Sequence, residues 1–134
     1  MLRNTVVLVD LNDKEIGIEK KEIAHKAPKL HRAFSIYLYN DKKELLIQKR
    51  AEHKYHSAGL WSNTCCSHPK SGEDIKESAI ERLKDEVGIT ANIDEIFSFI
   101  YMNKFHDNLY EYEYDHVFIG SYNGNFLLNP EEPW

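Results

Sequence analysis

Apolar and polar positions alternate in some stretches of this chain and recur with helical spacing in one other, and that contrast fixes most of the elements. Thr5 to Val9 is apolar and β-branched, and the turn-forming run Asp10-Leu-Asn-Asp-Lys14 separates it from Glu15 to Ile18, which predicts a first hairpin. Ala33 to Tyr39, then Asn40-Asp-Lys-Lys43, then Glu44 to Arg50 predicts a second, stronger one. Between Glu73 and Val87 the period changes: Ala79, Ile80, Leu83 and Val87 fall on one face of a helix, and Gly88 supplies the stop. Phe97 to Tyr101 and Tyr110 to Tyr122 are β-rich, the second unusually long. The expected class is α+β, an antiparallel or mixed sheet with helices packed on it.

Composition narrows the picture. The 134 residues are 42% apolar and 29% charged, with no repeat, low-complexity tract or Gly/Ser linker, so a single domain over 1–134 is expected. The two cysteines are adjacent, too close for an ordinary structural bridge, which fits a reducing cytoplasm. The apolar run at the N-terminus is broken by Asp10 and Asn12 and reads as a strand, not a signal peptide, and no stretch is long enough to cross a bilayer. A net charge of −5 argues against a nucleic-acid partner but leaves room for a small anion held by a few converging cations.

The candidate chemistry begins at Trp61-Ser-Asn-Thr-Cys-Cys-Ser-His-Pro69. Residues two apart on an extended segment share a face, so Cys66 and His68 look into one cleft while Cys65 points away. Taken alone, either thiol is an ordinary core residue. In Tyr110-Glu-Tyr-Glu-Tyr-Asp-His116 the same alternation puts Glu111, Glu113 and Asp115 on one face and the three tyrosines on the other. His25 and His31 flank Pro28, which rules out one helix through both and predicts a loop that wraps around something. Three histidines and two carboxylates, where they converge, make a nitrogen and oxygen site for Mn²⁺ or Mg²⁺, with Zn²⁺ an alternative. Spacing does not show that they converge.

The helix carries a second signal. Glu73 and the run Glu81-Arg-Leu-Lys-Asp-Glu-Val-Gly-Ile89 resemble the Nudix box, whose Arg-Glu-x-x-Glu-Glu helix binds metal ions on a diphosphate. The expected Arg-Glu pair stands here as Glu81-Arg82, and Ser67 replaces the initial glycine. A cation in the metal-binding helix disfavours hydrolysis and suits the gripping of a phosphate. Arg82 and Glu86 lie four apart, so a surface ion pair explains them equally well.

Together, His25 and His31, the Trp-x-Asn-x-x-Cys-x-His-Pro segment, the altered Nudix helix ending at Glu86, and Glu111-x-Glu113 resemble type I isopentenyl-diphosphate isomerase, over about Leu8 to Phe118. The resemblance implies a Nudix-like α/β/α arrangement and the conversion of isopentenyl to dimethylallyl diphosphate for isoprenoid synthesis. It places metal ligands on His25, His31, His68, Glu111 and Glu113, for Mn²⁺ or Zn²⁺, and the catalytic groups on Cys66, Glu113 and Tyr101. It also implies diphosphate-binding cations at Lys21, Arg50, Lys54 and Arg82. A second metal, Mg²⁺ carried by the diphosphate, would take Glu86 and the carbonyl of Cys66. A monomer or weak homodimer acting on a small diphosphate is expected. In the family a C-terminal helical region with an aromatic residue covers the carbocation, whereas this sequence stops at Asn129-Pro-Glu-Glu-Pro-Trp134, which predicts a missing or replaced cover. Two alternatives follow, a Nudix pyrophosphohydrolase and a C-terminally shortened, inactive metal-binding relative.

Overall fold

The computed structural model describes residues 4–46, 48–49, 61–62, 64–105 and 109–122. The chain opens with the expected hairpin, β1 (Thr5–Val9) against β2 (Glu15–Lys20), and Asp10 closes the turn by accepting the backbone N–H groups of Asn12 and Lys14. A short helix, α1 (Lys21–Lys26), follows directly and leads into β3 (His31–Tyr39). The predicted loop from His25 to His31 is therefore corrected. His25 sits on a helix and His31 opens a strand, with Pro28 in the connection where helix cannot continue.

Past β3 come the two-residue strands β4 (Leu45–Leu46), β5 (Gln48–Lys49) and β6 (Trp61–Ser62), then β7 (Cys65–Ser67). The long helix α2 (Ile75–Val87) is followed by β8 (Ile93–Phe105) and β9 (Leu109–Ser121). The main sheet has the order β2-β1-β3-β9-β8, with β4 and β7 also pairing with β3. All its pairs are antiparallel except β3 with β9, so the sheet is mixed, as expected.

Helix α2 begins two residues later than the periodicity suggests because Asp74 is its cap, accepting the N–H of Glu77 at 3.0 Å. Glu73 stays outside and ties the preceding turn to the helix, accepting from Lys70 N and Ser78 Oγ at 2.7 Å each. Gly88 ends α2 in the left-handed region, φ 77°, where a side chain is strained. Strand alternation then decides what α2 covers. Phe34, Ile36 and Leu38 of β3, Phe118 of β9 and Cys65 of β7 turn toward it and meet Ala79, Leu83 and Val87, all fully buried. Burying each of the larger of these side chains contributes roughly 1.5–3 kcal/mol. Gly120 is a packing necessity in this layer: a Cβ there would lie 2.7 Å from the carbonyl of Asn92.

The opposite face of the sheet carries His31, Ala33, Ser35, Tyr37 and Tyr39 of β3, in register with Glu113, Asp115, Val117, Ile119 and Ser121 of β9. Tyr101, Phe99 and Phe97 of β8 pair with Glu113, Asp115 and Val117, so they share that face. Helix α1 lies against it, which completes a layer of helix on each side of the sheet.

Candidate metal centre and active site

Four side chains from four elements meet on the α1 side of the sheet. His25 of α1, His31 of β3, His68 just after β7 and Glu113 of β9 place one ligand atom each within 4.8 Å of one another. The imidazole rings are 5.1–6.1 Å apart. Glu113 Oε2 lies 3.2 Å from His68 Nε2 and 3.5 Å from His31 Nε2.

The tautomers are settled by the backbone. His25 Nδ1 is 2.6 Å from the carbonyl of Lys21, and His31 Nδ1 is 2.9 Å from that of Lys29. A carbonyl can only accept, so both Nδ1 atoms carry a hydrogen and Nε2 is the nitrogen each ring turns toward the cluster. Among the described residues the buried His31 Nε2 makes no short hydrogen bond and faces Glu113 Oε2. Burial lowers His25 below its ordinary value and brings His68 down to about 3, against the pull of Glu113, which keeps those two rings neutral. The Lys21 ammonium depresses both rings further, so a cation stands beside the cluster. Burial alone would raise Glu113, yet His31 and His68 hold it well below the usual carboxylate range. Three imidazoles gathered at one ionised carboxylate, with the far nitrogens of His25 and His31 fixed by carbonyls, form the donor set of a divalent cation. The residues fit such an ion.

The expected catalytic groups surround this cluster. Tyr101 donates to Glu113 Oε1 at 2.7 Å and approaches Glu111 Oε1 at 3.3 Å. Burial and then the two carboxylates raise the Tyr101 hydroxyl far above its ordinary value, so it stays protonated. Glu111 thus borders the site through Tyr101 and is outside the four-residue group. Cys66 stands opposite Ser35 in the β3–β7 register and so faces the same side, whereas Cys65 turns to α2, as the alternation predicts. The thiols differ accordingly: Cys65 is fully buried and its thiol is pushed well up, by burial first and by Glu86 next, while Cys66 is half-buried.

Glu86 and Arg82 lie on the other side of β7. The Arg82 guanidinium grips Glu86 Oε1, and the Cys65 thiol donates to Oε2 at 3.3 Å. The surface ion pair suggested by their spacing is corrected here, because both side chains are more than nine-tenths buried. Arg50 and Lys54 lie outside the described residues.

Two features escape a linear reading. Ser35 donates to Asp115 Oδ2 at 2.8 Å, and Asp115, only 4% exposed, is raised to about 7 mainly by burial. Next to them an apolar groove of about 370 Å³ runs between Tyr37, Tyr39, Phe97, Phe99, Val117 and Ile119. Only the pairing of β3 with β9, which are remote in sequence, brings these together, and no local pattern announces it.

The fold and site have relatives. The NUDIX domain family model matches residues 29–133. Among solved structures, a Deinococcus radiodurans protein superposes with a TM-score of 0.78 over 97% of this chain and 79% of that one, at 17% identity. The MutT protein from Methanosarcina mazei Go1 gives 0.62, over 75% of this chain and 70% of its own, at 19% identity. These likenesses define a Nudix fold. Isopentenyl-diphosphate Delta-isomerase 1 of Aromatoleum aromaticum is 50% identical over 98% of this chain and 74% of its own length. Isopentenyl-diphosphate Delta-isomerase 2 of Photorhabdus laumondii is 48% identical, over 95% and 72%. The chain belongs to the isopentenyl-diphosphate Delta-isomerase family of NUDIX domain proteins.

Proposed function

We propose that this chain isomerises isopentenyl diphosphate to dimethylallyl diphosphate, with the His25, His31, His68 and Glu113 cluster as its metal centre. The observation that supports it most is a metal-type donor set sharing one sheet face with a protonated tyrosine and a half-buried thiol. The reaction needs a proton added to a terminal alkene and another removed from the adjacent methylene. Those are jobs for two groups on different sides of the substrate.

Glu113 serves the first. Tyr101 holds one carboxyl oxygen in place, and a proton that Glu113 takes up from solvent passes through the Tyr101 hydroxyl to the terminal carbon, leaving Glu113 ionised again and a tertiary cation on the substrate. Cys66 serves the second: as thiolate it takes the methylene proton, and the C–H electron pair closes the new double bond. His25, His31, His68 and Glu113 would hold a divalent ion, Mn²⁺ or Zn²⁺, which when bound would offset the charge of Glu113, as Mg²⁺ carried by the substrate would offset that of the diphosphate. Lys21, Arg50, Lys54 and Arg82 grip the diphosphate and keep the allylic product from ionising. In the resting chain Arg82 holds Glu86; Glu86 and the Cys66 carbonyl are the groups that would hold a Mg²⁺ carried by the diphosphate, were Arg82 drawn to the phosphate. Glu111, which contacts Tyr101, would join the ligand set of the histidine cluster if the Tyr101 contact opened.

We read the chain as one domain over 1–134, cytoplasmic, a monomer or weak homodimer. No helix among the described residues is long and apolar enough to cross a membrane. A pyrophosphohydrolase is disfavoured by the buried Arg82, which occupies the helix where a hydrolase gathers carboxylates.

The test uses the chemistry of the product. Allylic diphosphates hydrolyse in mild acid and homoallylic ones do not, so labelled isopentenyl diphosphate becomes acid-labile on conversion. Conversion by the wild type, and none by Cys66→Ala or Glu113→Gln, supports the assignment. Turnover retained by either variant overturns it.

A further inference from the structure

A second pair of buried polar side chains shares the catalytic face and has no part in the steps above. Ser35 is the cross-strand partner of Cys66, and side chains so placed have Cβ atoms about 5 Å apart. On the other flank of β3 lies Asp115, two residues beyond Glu113 and on its face. The Ser35 hydroxyl donates to Asp115 Oδ2 at 2.8 Å, and both residues are buried. Ala33, directly opposite Asp115, is small enough to leave the carboxyl room. Asp115 Oδ1 has no hydrogen-bond partner among the described residues.

Such a pair is costly for structure alone. Apolar side chains of similar size would fill the same space without desolvating a carboxyl, and the neighbouring groove is already apolar. Its use follows from counting hydrogens. A serine hydroxyl has one, and here it is committed to Asp115, so toward Cys66 the Ser35 oxygen presents only lone pairs.

We propose that Ser35, held in this orientation by Asp115, is a positioning residue for Cys66 that accepts the S–H formed when the substrate is deprotonated. The balance is simple: the methylene C–H breaks, its electron pair becomes the new double bond, its proton becomes S–H, and S–H points at Ser35 Oγ. An acceptor at that place receives the S–H as it forms and holds the proton on sulfur after the transfer. The inference rests on the isomerase reading and on Cys66 as the base.

The test is a set of variants assayed with isopentenyl diphosphate that is protiated or deuterated at the methylene. Ser35→Ala is expected to lower kcat about tenfold, the scale of one lost hydrogen bond, with KM within about twofold of wild type. The methylene deuterium isotope effect should rise at the same time, because deprotonation becomes slower relative to the other steps. A structural defect would not select that step. Asp115→Asn keeps an acceptor for Ser35 and should stay near wild type, whereas Asp115→Ala should behave like Ser35→Ala. Wild-type kcat and isotope effect in Ser35→Ala overturn the proposal, as do equal losses in Asp115→Asn and Asp115→Ala with an unchanged isotope effect. If Ser35→Ala does not fold, the two Asp115 variants decide by the same criterion. A wild-type chain without turnover overturns the isomerase reading itself, and is recognised before any variant is made.

Discussion

Two buried glutamates, one on each side of the sheet, meet the same physical problem with opposite solutions. Glu86 is answered by a cation, since Arg82 from its own helix grips one oxygen and the Cys65 thiol the other. Glu113 is answered by His31 and His68, with His25 alongside, and burial keeps His25 and His68 neutral. The first arrangement balances charge within the chain. The second leaves a buried carboxylate with three ring nitrogens gathered around one spot, an arrangement that an added divalent cation suits. The difference separates a pair whose charges are already matched in the resting chain from a cluster built to take up a cation.

The largest effects expected should break that contrast. Glu113→Gln is predicted to reduce turnover by about 10³-fold or more and to weaken Mn²⁺ binding in calorimetry, whereas Cys66→Ala should lose turnover and keep the metal. Loss of metal from both would make the thiol part of the same site. Next in size is the matched pair. Arg82→Met strands Glu86 and should cost about 3–5 kcal/mol in urea unfolding, with Arg82→Met combined with Glu86→Leu recovering much of it. A surface pair would show under about 1 kcal/mol.

Acid sharpens the comparison further. In metal-free protein His68 titrates near 3 when folded and at its ordinary 6.5 when unfolded. The unfolded chain therefore takes the proton first, and this contribution, full above 6.5, is lost as pH falls toward 3. Asp115 has the reverse sign, about 7 folded against 3.8, so its contribution is full below 3.8 and lost as pH rises through 7. Urea midpoints of metal-free Asp115→Asn should fall more steeply between pH 7 and 4 than those of wild type; an equal or shallower fall would contradict the assignment. The smallest effect lies at a helix end. Asp74→Ala removes the α2 cap and should cost about 1 kcal/mol while leaving metal binding unchanged.

Much of the scaffold was legible because it is local. The first hairpin follows from Asp10 and the turn after Val9, and α2 follows from Ala79, Ile80, Leu83, Val87 and Gly88. The faces assigned to Cys65 and Cys66 and to Glu111 through Asp115 rest on strand alternation alone. Convergence was not legible in the same way. His25, His31, His68 and Glu113 come from four elements, and the parallel β3–β9 pairing that joins them spans most of the sequence. Helix α1 was missed because six residues carry too little periodicity to distinguish a helical turn from a loop. The burial of Arg82 with Glu86 was missed because i,i+4 spacing shows that two charges meet and not how much covers them.

The most direct test of the central claim, that the polar face of the sheet is a metal-dependent isomerase site, is proton NMR of isopentenyl diphosphate incubated in D₂O with this chain, Mg²⁺ and Mn²⁺. The account predicts dimethylallyl diphosphate carrying deuterium in the methyl group formed from the terminal alkene carbon, and no conversion after chelation. An unchanged substrate spectrum from folded, metal-loaded protein would contradict it.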